Sequence, residues 1–144
     1  MRYPIFTLVA TSLVLAGCSS RFEDHGNITQ VTLSAMEQQA VASMASKTLF
    51  ASFAAKTVFD FPHSQGNSFA QVLASNLRAR GFGVNEQSGG QGNMALRYQL
   101  VSLGPQHFYL SVVAGPHQFT QGWSIQGNQL APWHAKAYTQ GEIR

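Results

Sequence analysis

Met94-Ala95-Leu96-Arg97-Tyr98-Gln99-Leu100-Val101 decides the fold class, because Met94, Leu96, Tyr98 and Leu100 alternate with Ala95, Arg97, Gln99 and Val101. A period of two places one set on each face of a strand. The pattern recurs downstream. Phe108, Leu110, Val112 and Ala114 alternate with Tyr109, Ser111 and Val113, and Phe119, Trp123 and Ile125 share a face in the next stretch. A two-residue Gly115-Pro116 turn pairs Ala114 with His117, Val112 with Phe119 and Phe108 with Trp123, so the apolar faces match. The same trial at Gly104-Pro105 sets Arg97 against Val112, whereas one more loop residue pairs Leu100 with Leu110 and Tyr98 with Val112. A three-residue or bulged turn is therefore expected there, since a slip of one residue flips every side chain. Gly127-Asn128 offers a third turn, and Leu130, Pro132, Trp133 and Tyr138 would form a final edge strand or tail.

Upstream the period changes. Ser34-Ala35-Met36-Glu37 matches a capping box and opens an alanine-rich helix to about Ala55. Val41, Met44, Thr48, Leu49, Ser52 and Phe53 lie along one face of it, a stripe suited to a domain core or, alternatively, to a partner helix. Lys56 to Phe61 is an expected strand ended by Pro62. A second helix follows, with Ser68 as N-cap, Gln71 at the box position, and Phe69, Val72, Leu73 and Leu77 on its buried face. Arg78 and Arg80 fall in its last turn and Gly81 at C′, so these arginines fit helix-terminal charges rather than a binding patch. Phe82 to Glu86 is a short strand, and Gln87 to Asn93 a glycine-rich loop. The expected architecture is α+β: a small antiparallel β-sheet with two helices packed on one face.

The amino-terminal stretch has a different character. Met1-Arg2 is a minimal positive region, and Tyr3 to Leu15 is an apolar run shorter than the roughly 20 residues a spanning helix needs. It suits a signal peptide. The run ends in Leu15-Ala16-Gly17-Cys18, which resembles the lipobox of bacterial lipoproteins. That resemblance implies a diacylglyceryl group on the Cys18 sulfur, cleavage just before it, and a fatty acyl chain such as palmitate on the new amino terminus. Cys18 is the only cysteine, so no internal disulfide is possible, and acylation accounts for a lone thiol in an exported chain. One acyl chain anchors marginally; two or three on one residue make release negligible. Ser19 after the cysteine resembles lipoproteins sorted to the outer membrane, where the chain would face the periplasm. Residues 1–17 are thus expected as signal peptide, 18–33 as a lipidated tether without a core, and 34–144 as a single α+β domain. Within the tether, Ile28, Val31 and Leu33 could add a short strand or dock on a partner.

The net charge is +3 over 144 residues, and only 10% of them are charged. So weak a field gives no argument for a polyanion partner, and no direct nucleic-acid binding is expected. Asp60, His63, Ser64 and Ser68 hold an acid, a base and two hydroxyls, but their spacing fits a turn leading into a helix and no nucleophile elbow is present. The five histidines lack i, i+4 pairing and have no second cysteine beside them, so neither a metal nor any other cofactor is expected. No catalytic residue is assigned, and no enzyme is expected. Among the aromatics, Tyr109 and Trp133 are the candidates for exposed partner contacts.

Thr57-Val58-Phe59-Asp60-Phe61, Phe69-Ala70-Gln71-Val72-Leu73 and Leu77-Arg78-Ala79-Arg80-Gly81-Phe82 together resemble the TrbH family of conjugal-transfer lipoproteins. Leu96-Arg97-Tyr98-Gln99-Leu100, Phe119-Thr120-Gln121-Gly122-Trp123 and Ala131-Pro132-Trp133 continue the likeness, in order and spacing. The loop around Gly89 and the tail after Trp133 depart from it. What the resemblance implies is a structural subunit of a conjugative type IV secretion (mating-pair formation) channel, in its outer-membrane core. Its partners would be other core subunits of a hetero-oligomeric ring, and the membrane through lipid. The alternative is a stand-alone envelope lipoprotein that binds a ligand, peptidoglycan or an exclusion partner.

Overall fold

The structure, a computed structural model, describes residues 22–87 and 92–140. Along the chain run β1 (Phe22–Asp24), β2 (Asn27–Thr29), α1 (Ala35–Ser52), β3 (Val58–Asp60), α2 (Ser68–Ala79), β4 (Gly83–Asn85), β5 (Met94–Gly104), β6 (His107–Ala114), β7 (His117–Gln126) and β8 (Gln129–Gln140).

The small antiparallel sheet expected from the sequence is replaced by an eight-stranded mixed sheet. Strands β5 to β8 do form an antiparallel meander. Three further pairings are parallel: β2 with β5, β3 with β4, and β3 with β5. The reason lies in connectivity. β3, α2 and β4 make a strand–helix–strand crossover, which returns the chain in its original direction. The eleven residues of β5 then leave an edge long enough for two partners. Met94 and Ala95 pair with β3. Gln99 and Leu100 pair with β2.

Registers within the meander follow the matching of apolar faces. Ala114 pairs with His117, Val112 with Phe119 and Phe108 with Trp123. Leu100 pairs with Leu110 and Tyr98 with Val112, with a register shift between Ser102 and Gly104 that leaves Leu103 as the bulged residue. Gln126 pairs with Gln129 across Gly127-Asn128.

Both helices share one core with one face of this sheet. Val41 and Leu49 of α1 and Phe69, Leu73 and Leu77 of α2 join Leu96, Tyr98, Leu100, Phe108, Leu110 and Val112 in a single buried cluster. The capping box at Ser34 is present: its hydroxyl accepts from the Glu37 amide at 3.2 Å, and the Glu37 carboxylate accepts from the Ser34 amide at 3.1 Å. The cap of α2 is Asn67, not Ser68; Asn67 Oδ1 accepts from the Ala70 amide at 3.1 Å. The Ser68 hydroxyl instead accepts from Gln38 Nε2 of α1. At the other end Phe82 N donates to Leu77 O and Gly81 N to Arg78 O, with Gly81 at φ +97°, a Schellman termination. Arg80 Nε donates to the buried Ser46 hydroxyl at 2.9 Å and so fastens the end of α2 to α1.

Part of the segment expected as a tether is folded onto the sheet. β1 and β2 form a hairpin that a polar latch holds in place. Asn27, 1% exposed, donates to the carbonyls of Asp24 and Pro62 and accepts from the Tyr98 amide. Asp24 accepts from the Ser64 amide at 2.7 Å and from Asn67 Nδ2 at 3.1 Å. The Tyr98 hydroxyl donates to Asn67 Oδ1 at 3.0 Å, so its oxygen takes the Thr29 hydroxyl proton at 2.8 Å. The short strand allowed for Ile28 is present as β2; the latch itself was not legible, because it consists of polar groups with distant partners, which leave no apolar period in the local sequence.

Candidate functional site

The helices leave part of the inner sheet face uncovered. A helix with its side chains is about 10 Å wide and strands lie about 4.8 Å apart, so each helix spans roughly two strands. The hydrogen-bonded path β1-β2-β5-β6-β7-β8 is six strands across, and β7 and β8 lie at its far end. Between them and α1 runs an apolar groove of about 320 Å³. Val41, Met44, Ala45, Thr48 and Ser52 form the α1 wall, while Leu110, Val112, Phe119, Gln121 and Trp123 form the floor. Lys136, Ala137 and Tyr138 of β8 form the outer lip. The helical stripe seen in the sequence therefore has two roles. Val41 and Leu49 close the core, and Met44, Thr48 and Ser52 face the groove.

Aromatic rings build one end of the groove. Phe53 meets His117 edge-on at 5.3 Å and Phe119 at 6.1 Å, and the His117 ring stacks on Tyr138 at 5.8 Å. His117 Nδ1 and the Tyr138 hydroxyl are hydrogen-bonded at 2.6 Å. On the floor, Trp123 stacks on Phe108 with an interplanar angle of 8°.

Among the described residues, two buried polar atoms beneath the floor have no hydrogen-bond partner. Trp123 Nε1 and Gln121 Oε1 are buried without a hydrogen bond, although Gln121 Nε2 donates to the carbonyls of Gly122 and Trp133. A buried polar group left unpaired costs about 1–3 kcal/mol. On the lip, Lys136 pairs with no acid among the described residues. The groove thus offers apolar surface and, at its lip, a cation without an ion pair among the described residues.

Tyr109 and Trp133 sit on the opposite face of the sheet. Tyr109 pairs with Gly122, and the Trp133 indole lies directly over Gly122, with Nε1 donating to the Ser124 hydroxyl at 2.7 Å. The two residues named from the sequence thus converge on one glycine. Trp133 is 39% exposed and Tyr109 is half-buried. Residues 1–17, expected as signal peptide, the expected lipobox Leu15, Ala16, Gly17 and Cys18, and Gly89, Gly90 and Gln91 of the glycine loop lie outside the described residues.

Asp60, His63, Ser64 and Ser68 are not brought together. Asp60 accepts from Asn85 and Asn93, and His63 lies between the Phe61 carbonyl at 2.9 Å and Glu86 at 3.3 Å. The Ser64 amide serves Asp24, and Ser68 serves Gln38. Among the described residues no group of three His, Cys, Asp or Glu side chains gathers as a metal site would require. No helix among them is long and apolar enough to cross a membrane.

Titration marks the latch rather than the groove. Burial pushes the Asp24 carboxyl upward, but hydrogen bonds from Ser64 and Asn67, with His25 nearby, outweigh it and hold Asp24 below the usual carboxylate value. Burial pushes the Tyr98 phenol above its ordinary value, against its bonds with Thr29 and Asn67.

The family model described as conjugal transfer protein TrbH matches residues 20–142. This chain belongs to the TrbH family. The match spans every strand and helix of the fold, the groove and the Trp133 face included, and it places the protein in conjugal transfer. No match was found among curated proteins or solved structures. Within this TrbH domain, Gln121, Trp123 and Lys136 are groove residues that sequence reasoning did not single out. One signal was available: Thr48 and Ser52 interrupt the apolar stripe of α1, the mark of a helix face that the core does not fully cover.

Proposed function

We propose that this protein is a membrane-anchored lipoprotein acting as a structural subunit of a conjugative type IV secretion (mating-pair formation) channel. The reading is carried by the coincidence in one chain of TrbH membership and the sequence Leu15-Ala16-Gly17-Cys18. Acyl chains on Cys18 would hold the amino terminus in the outer membrane, with the folded domain on the periplasmic side against other core subunits of a hetero-oligomeric ring. The domain's surfaces support contact better than chemistry: an apolar groove on one face, the Tyr109 and Trp133 pair on the other, and the polar residues of the turn after β3 engaged in structural bonds.

The test is replacement of Cys18. Cys18→Ala is expected to abolish labelling by a fatty-acid probe and to lower DNA transfer between cells sharply. Unchanged transfer from cells making only the soluble mature domain would contradict an anchoring role. A second reading, a stand-alone envelope lipoprotein that binds a ligand, is favoured by the groove's volume of about 320 Å³, which falls in the small-molecule range. In that case the tagged protein would purify in detergent without channel proteins.

A further inference from the structure

We infer that the groove between α1 and β7–β8 receives one amphipathic helix of a different protein, with its apolar face on the floor and an acidic side chain against Lys136. The inference rests on the subunit reading above and specifies its contact surface.

Shape points to a helix. The uncovered inner face of β7 and β8, two strands across, is about one helix wide, and α1 presents Met44, Thr48 and Ser52 along it as an i, i+4 ridge of the kind that neighbouring helices interlock with. A third helix beside α1 would complete the layer that α1 and α2 begin. Polarity argues against a purely hydrocarbon occupant. An acyl chain would leave the Lys136 ammonium at the lip without an anion, whereas a helix can carry an acidic side chain to it.

Charge argues against a second copy of this chain. The only acid in α1 is Glu37, whose carboxylate is engaged in the capping box, and α2 has none. Neither helix of a second molecule can therefore offer Lys136 a free carboxylate. The occupant comes from elsewhere.

The test places the photo-crosslinking residue benzoylphenylalanine at Thr48 and, separately, at Tyr138, which pairs with Phe119 of the floor and faces the groove, in the full lipoprotein, in cells carrying the complete transfer system. Irradiation and mass spectrometry of the purified protein then map the adducts. The expected result is that both positions join one segment of one other protein, at sites three or four residues apart beside an Asp or Glu. Lys136→Glu should lower adduct yield about tenfold while leaving the thermal midpoint of the purified chain unchanged. Adducts with acyl chains, with a second copy, or at the alternate-residue spacing of a strand would overturn the inference. So would absence of adducts while the chain still co-purifies with channel proteins, a result that leaves the subunit reading intact. Absence of both removes the subunit reading and this inference with it.

Discussion

The indole of Trp133 lies on Gly122 so closely that a methyl group at position 122 would collide with the ring. The contact depends on an irregularity in β8. Trp123 pairs with Pro132 and Gln121 with Lys136, so β8 spends three residues, Trp133 to Ala135, opposite Gly122 alone. Hydrogen bonds from Gln121 Nε2 to the Trp133 carbonyl and from Trp133 Nε1 to Ser124 hold the bulge.

Gly122→Ala should expel the indole from this seat. Overpacking of this kind costs about 1–3 kcal/mol, so the denaturation midpoint should fall, and Trp133 fluorescence should shift to the red. Trp133→Ala in the Gly122→Ala background should recover part of the loss. An unshifted emission spectrum in the single variant would show that the ring does not rest on the glycine.

The Asp24 latch makes the stability of the β1–β2 hairpin depend on acid. Asp24 is held below its ordinary carboxylate value in the folded chain. Its contribution is therefore complete above the unfolded value of about 3.9 and is lost as pH falls through the lower folded value. Asp24→Asn should flatten the stability profile below about pH 4, read by denaturant titration at each pH. Tyr98 acts in the opposite sense. Its raised value means that its contribution is present below about pH 10 and is lost as pH rises through the folded value.

Asn67→Asp provides a sharper test of the same latch. Asn and Asp are near-equal helix caps, so an isolated cap would tolerate the change. Here Asn67 Nδ2 donates to Asp24 at 3.1 Å, and a carboxylate at 67 would face a second carboxylate. The variant should lose about 1–3 kcal/mol at neutral pH and regain part of it in acid, where one of the pair protonates. Equal stability of the two proteins at neutral pH would refute the latch geometry.

What the residue pattern reveals, and what it hides, follows from the range of each interaction. The meander from Met94 to Ile125 is legible because each strand pairs with its sequence neighbour across a turn rich in glycine, and face matching fixes the register. The parallel pairings are hidden, because Ile28 meets Gln99 and Phe59 meets Met94 only after the chain has travelled far. The full length of β8 is hidden for another reason. Its residues from Trp133 onward are exposed on both faces, so no buried side alternates with a wet one. The α1 wall of the groove shows in the sequence as the Val41, Met44, Thr48 stripe. The β8 lip does not, since a lone Lys136 on an edge strand resembles any solvated charge.

The account as a whole depends on the modification of Cys18, and intact-mass measurement of the protein purified from envelopes tests it most directly. The predicted species begins at Cys18 and carries the added mass of a diacylglyceryl group and an amide-linked acyl chain. A mature chain that begins at any other residue, or that begins at Cys18 with a free thiol and a free amine, would contradict it.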